Sequence, residues 1–131
     1  LVHRLVNKIR ENAGSIVEFK EDRVDGAQVV VVTYGITSRV AIPAIEQARR
    51  EGIRVGRFRM ITAWPFPEKR IRELSAAAGA FVVPEINYGQ MVHEVEGAVA
   101  GKTRVVHVPH GGGSVHDPKD IHAAIVNSLK G

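Results

Sequence analysis

The sequence predicts an α/β fold, a parallel sheet with helices packed on both of its faces. Three observations carry the expectation. From residue 27 onward, short apolar runs alternate four times with stretches whose apolar residues recur at helical spacing. The first run, AQVVVVTYG over 27–35, is β-branched and has no polar face, which suits a central strand covered on both sides. Glycine closes the helical stretches at Gly52, Gly79 and Gly101, and proline opens two of them at Pro67 and Pro118. Serial β-α units of this kind close into a parallel sheet through right-handed crossovers.

Taken in order, Leu1, Leu5, Ile9, Ala13 and Ile16 share a helical stripe opposite Arg4, Lys8 and Glu11, so residues 1–17 read as an amphipathic helix. Residues 18–26, EFKEDRVDG, carry six charges and read as a connector, with a short antiparallel edge strand as the alternative. An N-terminal helix and connector over 1–26 is thus expected ahead of an α/β domain over 27–131. After the first strand, Ser38 to Glu51 is helical through Ala41, Ala44, Ile45 and Ala48. Pro43 requires that helix to begin late or kink. Residues 53–61 form the second strand. Pro67 then opens a helix that buries Ile71, Leu74 and Ala78. Residues 80–86 form the third strand, with Pro84 at its end. A helix over 88–100 uses Met91, Val95 and Ala98, and 103–108 is the fourth strand. Asp117 caps the last helix with Pro118 at its first position and Asp120 near the third. That helix buries Ile121, Ile125 and Leu129.

Composition narrows the function classes. With 44% hydrophobic and 24% charged residues, the 131-residue chain is an ordinary globular domain. No apolar run approaches the roughly 18 residues that cross a bilayer, so no membrane partner is expected. The absence of cysteine removes thiol nucleophiles and cluster ligands and fits a cytoplasmic location. The net charge of +4 is spread over 18 basic residues interleaved with 14 acidic ones. A nucleic-acid footprint needs a basic stripe with aromatic partners, and a solvated charged face is the better reading. The start, Leu1-Val2-His3-Arg4, lacks an initiator Met and reads as part of a longer chain.

In a parallel sheet, binding falls to the loops at the strands' carboxyl ends. Four such loops are expected: Tyr34–Ser38, Thr62–Phe66, Asn87–Gly89 and His110–His116. TYGITSR supplies one tight turn at Gly35 and hydroxyls before a helix, read either as an anion site or as a turn with an N-cap at Ser38. HGGGSVHD offers a nest of backbone N–H groups, or a His107, His110 and His116 ligand set, or a plain loop before a capped helix. HEVEG over 93–97 lacks the second histidine of a zinc helix and reads as helix exterior. Glu85, at a strand end near Asn87 and Gln90, is either a base or a hydrogen-bonding post. No nucleophile accompanies it, and no catalytic residue is assigned. Trp64-Pro65-Phe66-Pro67 is apolar and stiff for a loop. Trp64 and Phe66 either anchor against a neighbouring domain or, in the alternative, Trp64 turns inward to cap the domain's own core.

Four stretches, VVVVTYGITSRVAIPAI, GIRVGRFRMITAWPFPEKRIREL, FVVPEINYGQMVHEVEGAV and GGGSVHDPKDI, together resemble the α subunit of 2-oxoacid:ferredoxin oxidoreductases, the 2-oxoglutarate type above all. The resemblance implies a fold similar to the transketolase C-terminal domain, three layers α/β/α, with the four strands in the order 2-1-3-4. It implies an assembly domain of an enzyme that oxidatively decarboxylates a 2-oxo acid with CoA and reduces ferredoxin. Thiamine diphosphate, Mg2+ and an iron–sulfur cluster would be held by other parts of the complex, with none bound by this domain alone. The implied partners are the β subunit, an upstream thiamine-type domain and ferredoxin. The expected ligand or interface loops carry Tyr34, Gly35, Ser38 and Arg39, then Trp64 and Phe66, then Glu85, Asn87 and Gln90. Nothing functional is carried onto His110 or His116. The alternative from another class is a free-standing nucleotide- or CoA-binding module that uses Gly35 and Ser38 with nearby basic residues.

Overall fold

The computed structural model describes residues 6–12, 15–61, 66–85, 90–109 and 116–129. Its elements are β1 (Val6–Asn12), β2 (Ser15–Asp22), β3 (Val29–Tyr34), α1 (Ile36–Arg50), β4 (Val55–Met60), α2 (Glu68–Ser75), β5 (Ala80–Glu85), α3 (Gln90–Val99), β6 (Arg104–Pro109) and α4 (Pro118–Ser128). They build one six-stranded sheet in the order β1-β2-β4-β3-β5-β6. The inner four, β4-β3-β5-β6, are parallel and stand in the expected 2-1-3-4 order. β3 is buried along Val29–Thr33 because helices cover both of its faces. Val29, Val31, Val55 and Val82 pack with α1 and α4, through Ala41, Ala44, Ile45, Ala48, Ile121 and Ile125. Val30, Val32, Phe58, Phe81 and Val83 face α2 and α3, through Ile71, Leu74, Val92 and Val95. The layers are therefore α1/α4, sheet, and α2/α3.

The N-terminal helix is not observed, while the alternative of an antiparallel strand within 18–26 holds in part, as an inner strand rather than an edge. Residues 6–12 and 15–22 are strands rather than helix and connector. β1 pairs antiparallel with β2 through a two-residue connection between Asn12 and Ser15, and β2 pairs antiparallel with β4. β2 is thus an inner strand, and β1 forms the edge. The reason is non-local: β4 would otherwise expose an unpaired row of backbone groups, and strand pairing satisfies it. The charged segment contributes to both faces by alternation. Phe19 is fully buried and stacks on Phe58 with ring centroids 4.7 Å apart. Glu21, on the same face, is buried against Arg70 of α2, and Asp22, on the other, meets Arg49 of α1 at 3.2 Å. The bonds to Glu21 hold the Arg70 guanidinium above its ordinary range despite its partial burial.

Smaller corrections follow from local chemistry. α1 starts at Ile36, not Ser38, and Gly35 occupies its N-cap position. Pro43 sits inside α1 on the exposed side, where the Arg39 carbonyl that loses its donor lies within reach of water. Pro84 lies within β5 beyond the last pair with β3, Val31–Val82, while still paired with β6. α2 ends at Ser75, ahead of Gly79, and Ala78 is only partly buried. α4 ends at Ser128, so Leu129 is exposed rather than core. The expected cap does form: the Asp117 carboxylate accepts from the Lys119 N–H at 2.9 Å, with Pro118 leading the helix.

Candidate functional site at the carboxyl edge of the sheet

The chain leaves β3 toward β4 on one side, and β5 then returns to lie on its other side. Strand order reverses there, between the carboxyl ends of β3 and β5, the place where an open α/β sheet leaves a crevice. Tyr34 ends β3 and is 38% exposed. Gly35 turns the chain into α1 in a single residue, at φ 66° and ψ −138°. That conformation is essentially restricted to glycine, although an added Cβ would meet nothing within 4 Å. Glycine is required there by the backbone, and the space beside it is open.

The hydroxyls that follow are used internally. Thr37 Oγ1 donates to the Tyr34 carbonyl at 2.8 Å and accepts from the Tyr34 N–H at 3.3 Å. Ser38 is only 3% exposed, and its hydroxyl donates to Thr33 Oγ1 at 2.9 Å. Ser38 therefore does not cap α1, nor does it reach the crevice. No side chain caps α1, and no acid lies in its first turn. Arg39 is exposed at the start of the same helix. Thr37 had no part in the expected site. A threonine two residues into a helix was the only signal of the turn that it closes.

Across the switch, Glu85 at the end of β5 is 5% exposed. One carboxylate oxygen accepts from the Met91 N–H, and the other accepts from the Val92 N–H at 2.8 Å. Both are first-turn amides of α3, whose positive end the carboxylate neutralises. Of the two readings of Glu85, the geometry supports the post. Gln90 begins α3 through its backbone. At the end of β6, the ring of buried His116 bonds the Val108 carbonyl through Nε2 at 2.8 Å, which ties the start of α4 to the sheet. Phe66 is partly buried and packs against the α2/α3 core, so this member of the aromatic pair faces inward. Trp64, Asn87 and His110 lie outside the described residues. His93 and Glu96 are exposed on α3, as expected for a helix exterior.

The structure thus brings Tyr34, Gly35 and Arg39 together beside an uncapped helix, and commits Ser38 and Glu85 to internal bonds. Among the described residues, no three His, Asp or Glu side chains gather in a way that could hold a metal ion. None of their helices is long and apolar enough to cross a membrane. A cleft of about 280 Å3, lined by Arg23, Asp25, Arg49 and Arg54 among others, lies at the opposite edge near the start of β4. Residues 27–121 match the family described as pyruvate:ferredoxin oxidoreductase core domain II. The 2-oxoglutarate synthase subunit KorA of Methanothermobacter marburgensis is 39% identical over 121 residues, which are 92% of this chain and 32% of that protein. The ketoisovalerate oxidoreductase subunit VorB of Methanothermobacter thermautotrophicus is 43% identical over 114 residues, 87% of this chain and 31% of that protein. The chain therefore spans about a third of the length of the curated relatives it matches. Among solved structures, a split-gene transketolase superposes with a TM-score of 0.70 at 22% identity, over 79% of this chain and 39% of its own. A 2-oxoglutarate:ferredoxin oxidoreductase from Magnetococcus marinus, with 2-oxoglutarate, coenzyme A and succinyl-CoA bound, does so with 0.63 at 19% identity, over 94% and 19%. Both similarities concern the fold.

Proposed function

The chain belongs to the pyruvate:ferredoxin oxidoreductase core domain II family, and from that premise we propose that it is an assembly domain in the α subunit of a cytoplasmic 2-oxoacid:ferredoxin oxidoreductase. The complete enzyme would take a 2-oxo acid and CoA to an acyl-CoA and CO2, passing two electrons to ferredoxin. The β subunit and an upstream thiamine-type domain are the partners in this reading. Thiamine diphosphate, Mg2+ and the iron–sulfur cluster supply the decarboxylation and electron-transfer chemistry when bound. The donor set here does not fit them: the sequence has no thiolate for a cluster, and the described acids and histidines do not converge. No reaction step is therefore routed through this chain. It is 39% identical to a 2-oxoglutarate synthase subunit over 121 residues and 43% identical to a ketoisovalerate oxidoreductase subunit over 114. The 2-oxoglutarate assignment is supported by the motif resemblance and by 2-oxoglutarate synthase subunits 37–39% identical over 92–96% of this chain, and an assay with both acids decides it.

The observation that carries the reading is the use made of Glu85. It is the carboxylate best placed at the switch point to act as a base, and it is spent on α3. The test is Glu85→Gln in the complete complex. Assembly and thermal midpoint should fall, while turnover per assembled complex stays within about twofold of the parent, because the side chain holds a helix and no reacting group. A loss of about a hundredfold or more in turnover of fully assembled complex would overturn the assignment.

A second reading is favoured by one specific feature, the uncapped amino end of α1 beside Arg39. There the domain would hold an anionic group such as a CoA phosphate on backbone N–H groups. Ser38 takes no part, because its hydroxyl is bonded to Thr33. Calorimetric titration with CoA tests it, and silence at millimolar concentration removes it.

A further inference from the structure

We draw no further inference here: the strongest candidate, the cleft of about 280 Å3 near the start of β4, selects no class of ligand, because Asp25 on its wall and Asp22 and Glu46 beside Arg49 balance the charges of Arg23, Arg49 and Arg54.

Discussion

The amino ends of α1 and α3 stand on either side of the β3–β5 switch, and each presents first-turn N–H groups at the carboxyl edge of the sheet. At α3, the Glu85 carboxylate reaches across from the strand end, is buried, and takes the Met91 and Val92 amides. At α1, the cap position is Gly35, no acid lies in the first turn, and the two nearby hydroxyls turn back to Tyr34 and Thr33. The positive end of one helix is neutralised by the fold, while that of the other is left to solvent or a ligand. The comparison shows which half of the crevice is structural and which is open. A carboxylate at a strand end is no sign of chemistry when a helix begins within its reach.

Glu85→Ala breaks the comparison most severely. It leaves two amides without a partner in a buried setting and should destabilise the fold by about 2–3 kcal/mol, read from urea unfolding. Formate should recover part of that loss by occupying the emptied position, and Met91 and Val92 should show the corresponding amide shifts. Recovery without those shifts would contradict the capping role. Gly35→Ala probes the other side. An added methyl group meets no atom, so its cost is the backbone conformation alone, about 1–2 kcal/mol in the same assay. A neutral result would show that the turn relaxes, and the open half of the crevice would lose its defined shape. The smallest effect lies at the far end of α1, where the Glu51 carboxylate accepts from the His122 Nε2–H across 2.7 Å. That bond holds the Glu51 carboxyl below its ordinary range, so its contribution is present above the unfolded carboxyl pKa and fades as pH falls through the folded one. Glu51→Gln should flatten the acid limb of a stability–pH curve slightly and leave the neutral plateau in place.

The legibility of the chain divides at residue 27. From there on, β-branched runs, helical stripes and Gly or Pro joints make each element visible in isolation, because burial on both faces leaves a strand no polar side to show. Before it, Ile9 and Ile16, spaced as on a helix, lie in the strands β1 and β2. Those strands exist because β4 offers an edge to pair with. Their charged residues were legible as charges, yet the burial of Glu21 and Asp22 depends on Arg70 and Arg49 arriving from two different helices. At the crevice, Gly35 could be read from its isolated place between strand and helix. The Ser38 hydroxyl could not, because its partner Thr33 is set by the geometry of the turn.

The sequence by itself determined the parallel core, its serial β-α connectivity, the Asp117-Pro118 helix start and the Gly35 turn after the first parallel strand. These rest on interactions within a few residues or on the periodicity of one element. The tertiary structure alone decided that β1 forms the edge beyond β2, that the Ser38 hydroxyl turns to Thr33, and that Glu85 is a post. Each of those depends on which group of another element comes to lie within about 3 Å, a distance that no local pattern encodes.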